Sequence, residues 1–65
     1  MWEICRASLG HKVVLVYQEG SETKGTTGTI REANENFVLL ETDNHRKIWV
    51  KPSAIVKVKE AQEER

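Results

Sequence analysis

The stretch KGTTGTIREANENFVLLETDNHRKIWVKPSAIVKV, residues 24–58, constrains the fold more than any other feature of the chain. Short apolar runs recur along it and are broken only at turn formers: Asn34-Glu35-Asn36, then Asp43-Asn44-His45-Arg46, then Pro52-Ser53. Each run suffices for one short strand and is too short for a stable helix. Strands joined by turns this tight run antiparallel, because a parallel crossover needs a dozen or more residues. The order predicts a small, strongly curved antiparallel barrel. Barrels of this size are commonly binding modules, so the first question is what the chain binds.

A chain of 65 residues is one domain, and so small a core usually needs a staple. Cys5 is the only cysteine, which rules out an intrachain disulfide and a cysteine metal cluster. His11 and His45 lack ligand spacing. No metal and no cofactor is expected, and self-association is the staple that remains. Ten Lys and Arg balance ten Asp and Glu, so no whole-molecule field draws in nucleic acid. Any such site is a local patch. No charged leader with an apolar run opens the chain, and no apolar stretch reaches the ~20 residues of a membrane helix. With one unpaired thiol, a cytoplasmic location is expected.

The opening MWEICRASL predicts an amphipathic helix over about 2–9, with Trp2, Cys5 and Leu9 on one face and Gly10 as its left-handed stop. HKVVLVY, 11–17, reads as a strand with Val13, Leu15 and Tyr17 on one face and Val14 and Val16 on the other. Both faces are apolar, so both need cover: the interior on one side, the helix or a second subunit on the other. Residues 18–23 read as a hairpin loop. Residues 24–33 form a strand bent at Gly25 and Gly28. Three more strands follow at 37–42, 47–51 and 54–59, the last alternating Lys57 and Lys59 against Val56 and Val58. The barrel spans about 11–59, and a charged tail occupies 60–65.

These residues resemble the Sm/LSm family of Sm-like and Hfq-like small β-barrels over most of the chain. CRASLGHKVVLV is similar to the family's helix, glycine and first strand, and Gly28 and Ile30 to the glycine and aliphatic pair of its second. NENFVLL resembles the Sm1 motif. IWVKPSAIVKV resembles Sm2, with Lys51 where the family has Arg or Lys and Ile55 where it has an aliphatic anchor. The chain departs from the pattern at Asn34, where the family has a turn aspartate, at Asn36, the base-stacking position, and at Pro52, where Sm2 usually has glycine. The closest alternative within the class is another SH3-like small barrel, such as a KOW-type module.

The resemblance implies an all-β fold: a short N-terminal α-helix followed by a five-stranded, strongly bent antiparallel Sm-like (SH3-like) barrel. It implies a homo-oligomeric ring that binds single-stranded RNA through Asn34, Asn36, Phe37, Lys51 and Ser53. In such a ring the fourth strand pairs with the fifth of a neighbour, which makes Trp49, Val50, Ile55 and Val56 the interface. Read on its own, a tryptophan in a strand is more often packed core. An aromatic stacking platform contributes roughly 1–3 kcal/mol per base, and Asn36 lacks most of it. His45, Arg46 and Lys47 form the one local basic cluster, either a secondary phosphate patch or an ordinary hairpin tip. Arg31 reads as a solvated cross-strand charge, and Lys57 and Lys59 as protection of an edge. No catalytic set is found: GTTG lacks the spacing and lysine of a phosphate loop, and the carboxylates sit around exposed turns. The chain is expected not to be an enzyme. The second reading is an SH3-like or Sm-like protein-interaction module without RNA binding, with protein partners in place of RNA.

Overall fold

The computed structural model of the chain describes residues 2–61. One helix, α1 (Trp2–Ala7), precedes five strands: β1 (Lys12–Glu19), β2 (Glu22–Ala33), β3 (Val38–Glu41), β4 (Lys47–Val50) and β5 (Ile55–Glu60). A single 3-10 turn, Pro52–Ala54, links β4 to β5. All pairings are antiparallel, and the strands lie in the order β4-β3-β2-β1-β5 in one open sheet. β4 and β5 are its edges, and no ladder joins them among the described residues.

Several expected boundaries move, β3 and β4 being shorter than the predicted 37–42 and 47–51. The loop predicted at 18–23 contracts to Gly20 and Ser21, because β1 and β2 stay paired out to Glu19 and Glu22. Gly20 has φ +64°, a positive value at the first central position, as a type II′ turn requires. At the other end β5 continues through Glu60, and the Ala61 N–H donates to the Lys12 carbonyl at 3.2 Å. The predicted tail thus begins inside the sheet, and its residues 62–65 lie outside the described residues.

The inward face carries Val13, Leu15, Ile30, Ala33, Val38, Leu40, Val50 and Ile55. Burying a large aliphatic side chain contributes about 1.5–3 kcal/mol, and this row is the main stabilising element. α1 packs on the same face: Cys5 is fully buried among these residues and Trp2 rests against them. The helix is shorter than predicted, and Leu9, expected on its packed face, is 41% exposed. Gly10, at φ +82°, donates its N–H to the Ile30 carbonyl at 2.8 Å, and the Ile30 N–H returns to the His11 carbonyl at 3.3 Å. These two bonds extend the β1–β2 ladder and dock the helix. The helix therefore covers the core side, and Val14 and Val16 stay half-buried on the opposite face.

Two register shifts bend the sheet. One lies at Arg31, between the Ile30–Leu40 and Glu32–Leu39 pairs. The other lies on β5 at Val56, between the Tyr17–Ile55 and Val16–Lys57 pairs. A bulged residue leaves its ladder and increases the local twist. This corrects the strict alternation expected of β5: Ile55 and Val58 face the core, and Val56 is 52% exposed. Of the two glycines on β2, Gly28 is the one that packing requires. A Cβ there would lie 2.7 Å from the Glu41 carbonyl oxygen and 3.0 Å from Leu40 Cγ, whereas Gly25 has open space around it.

Candidate nucleic-acid interface

The chain turns from β2 to β3 on Asn34. Its Oδ1 accepts the N–H of Asn36 at 2.7 Å and that of Phe37 at 3.0 Å, while the Asn34 N–H donates to the Phe37 carbonyl at 3.0 Å. Asparagine suits this position because its short amide reaches the backbone two and three residues on. An aspartate would accept the same two bonds, so the Asn34 departure keeps the turn and removes one negative charge. The side-chain oxygen is committed to the turn, and the amide NH2 of Asn34 takes no part in these bonds. Asn36 is exposed and Phe37 is half-buried.

Lys51 and Ser53 belong to the connection after β4. Lys51 has φ −70° and ψ 133°, the extended geometry favoured before proline. Pro52 then opens the 3-10 turn, which the Ala54 N–H closes onto the Lys51 carbonyl at 2.9 Å. No residue here has a positive φ. That explains why proline can stand where the family pattern has glycine. The Val38–Val50 pair closes the β3–β4 ladder at this end. Phe37 and Lys51, the next residues outward, therefore leave the sheet side by side. The fold thus brings Asn34, Asn36, Phe37, Lys51 and Ser53 to one end of the molecule, with Lys51 and Ser53 exposed.

Beside this end lies a cleft of about 320 Å³ between the last turn of β1 and edge strand β4, lined by Tyr17, Ile48, Trp49, Lys51 and Ala54 among others. Tyr17 shares a 3.3 Å hydroxyl hydrogen bond with Thr26 Oγ1, which holds its ring at the rim. Trp49 is 61% exposed, which corrects the expectation of a packed core tryptophan. It alternates with Ile48 and Val50, which face inward, so its indole takes the outer face. Val50 and Ile55 are core residues, 5% and 7% exposed. A neighbouring copy would meet their backbones, and the side chains open to contact are Trp49 and Val56.

His45, Arg46 and Lys47 lie at the opposite end of β3. There the Thr42 N–H donates to the Arg46 carbonyl at 2.8 Å, the His45 N–H to the Thr42 carbonyl at 2.9 Å, and the Arg46 N–H to Thr42 Oγ1 at 3.2 Å. His45 takes φ 66°, a left-handed conformation that most side chains avoid. Acids sit within the cluster. Glu41 Oε2 lies 3.4 Å from His45 Nδ1, and Glu41 Oε1 accepts from Arg31 Nε at 2.8 Å. Arg31 first, and His45 second, hold the Glu41 carboxyl below the usual carboxylate range. Asp43 takes Lys12 Nζ at 3.1 Å. Of the secondary basic patch, then, only His45 meets an acid among the described residues, while Glu41 and Asp43 also engage Arg31 and Lys12, and Arg31 is the cross-strand charge expected of it.

Among the described residues, no three His, Cys, Asp or Glu side chains are grouped to hold a metal ion, and no helix is long and apolar enough to cross a membrane. Burial pushes the Cys5 thiol up, away from the reactive thiolate. The sequence reading missed Tyr17 and Ile48 as cleft residues, because the contact between the end of β1 and β4 is made only by the curl of the sheet. In comparisons with known proteins, no family model, no curated protein and no solved structure matches the chain.

Proposed function

We propose that the chain is an Sm-like, ring-forming, homo-oligomeric protein of the cytoplasm that binds single-stranded RNA and has no enzymatic activity. In this reading the bent sheet is a small Sm-like barrel. The observation that carries the reading is the meeting of the Asn34–Phe37 turn with Lys51 and Ser53 at one end of the sheet. Unpaired bases find an amide donor on Asn34, a donor and an acceptor on Asn36 and a ring edge on Phe37, and Lys51 supplies the cation. The open edges β4 and β5 are the two halves of a head-to-tail contact, which closes into a ring when the rotation permits.

The test is equilibrium binding of short U-rich and A-rich RNA at low salt, with solution mass by light scattering. The expected result is salt-sensitive binding, weakened by Lys51→Ala, and a mass of several subunits with the RNA bound. No binding of either oligomer at low salt overturns the reading. A second reading, a protein-interaction module without RNA binding, is favoured by exposed Trp49 beside the cleft. It predicts a consistent protein partner lost on Trp49→Ala, with RNA ignored.

A further inference from the structure

The lysines of this chain differ by strand. On the inner strands Lys12 pairs with Asp43, and Lys24 with Glu19. Arg31 likewise pairs with Glu41. The edge strands carry Lys47 on β4 and Lys57 and Lys59 on β5, and among the described residues none of the three has an acidic partner. All three share one face of the sheet. Strand pairing carries that face from Lys47 to Glu41, Thr29 and Lys12 in a single row. Alternation along β1 carries it on to Val14 and Val16, whose partners are Lys59 and Lys57. Trp49 stands two residues from Lys47 on the same face. Glu60, the one acid on either edge strand, pairs with Val13 on the opposite face.

We propose that β4 of one copy and β5 of the next form a seam whose outer face binds the phosphodiester chain of single-stranded nucleic acid, and that filling this site drives assembly. The inference rests on the head-to-tail reading above but uses different residues from the turn site. Pairing the edges with Ile48 and Val58 toward the core sets Lys47 and Trp49 of one copy beside Lys57 and Lys59 of the other. Neither copy holds the site alone. Like charges across paired strands repel, so the empty seam resists closure. A polyanion neutralises them and releases its counterions. Because it binds the joined edges better than the separate ones, it pulls the equilibrium toward assembly. Edge lysines by themselves also serve to block stray pairing. Edge protection does not account for an exposed indole set among them, whereas base stacking does.

The experiment uses the full chain, with mass by light scattering and tryptophan emission followed together. Oligo(U), oligo(A) and inorganic polyphosphate of matched charge are the probes. Expected results are a low mass without polyanion, a rise with each probe, and quenching by the oligonucleotides alone that is absent in Trp49→Phe. The exposed pair Lys57→Gln/Lys59→Gln should assemble without a probe. Its salt slope for oligonucleotide should fall by about 1.4, from ~0.7 per lost phosphate contact on a single strand. A wild-type mass that ignores every probe, or an unchanged slope in the double variant, overturns the proposal. Equal quenching by polyphosphate overturns the stacking role of Trp49. Binding weakened by Lys51→Ala and untouched by the double variant overturns the seam alone. No oligonucleotide binding at all overturns the RNA reading, and the seam with it.

Discussion

At one end of β3 the chain turns on Asn34; at the other it turns on Thr42 and His45. Both turns are polar and both use a side-chain oxygen to accept backbone N–H groups. The first leaves a loop beside Lys51 whose one charged side chain is the exposed acid Glu35. The second is rich in cations, yet Glu41 and Asp43 engage their neighbours there. Local charge density is therefore a poor guide to where an anion would bind. What matters is which cations the fold leaves without acids, and which loops it sets side by side.

The largest effect expected from a test of this contrast falls between the two turns. Gly28→Ala would press a methyl onto the Glu41 carbonyl and push β3 outward. A loss of roughly 2–3 kcal/mol is expected, as for overpacking against backbone, read from the urea midpoint. Gly25→Ala, in open space, should change stability far less. Next comes Asn34→Ala, which strands two N–H groups and should cost about 1–2 kcal/mol. It should also weaken RNA binding, whereas Thr42→Val at the other turn should leave binding as it was. Equal effects of the two on RNA would erase the distinction between the ends.

Smaller effects are expected at the His45 end. His45→Gly relieves the left-handed strain at φ 66° and should raise stability by roughly 0.5 kcal/mol, seen as a higher thermal midpoint. A lower midpoint would mean that the Glu41 contact outweighs the strain. The smallest effect is that of acid on Glu41. Its folded pKa is depressed by Arg31 and His45, so its ionised form favours folding. That contribution is complete above the ordinary glutamate value of about 4.3 and fades as pH falls through the lowered folded value. Glu41→Gln should flatten the acid limb of a thermal-midpoint profile. Exposed pairs contribute little, so the change should be slight.

Strand identity was legible because the apolar runs and turn residues act locally. Asn34 closes its own turn, Gly20 its own hairpin, and Pro52 sets the backbone of Lys51. The bulges at Arg31 and Val56 were not legible, since each arises from a mismatch with a partner strand far along the chain. Strict alternation therefore misplaced Ile55 and Val56. Trp49 failed as a core residue for a related reason: its alternation was clear, but which face of β4 looks inward depends on β3.

The order of residues along the chain thus determined the helix, the five strands and the turns between them, because those depend on neighbours a few positions away. Tertiary structure alone decided which face became the interior and that Lys47, Lys57, Lys59 and Trp49 share the outer surface. Those outcomes follow from pairing between distant strands, whose register is set by twist, bulges and close approaches such as that at Gly28.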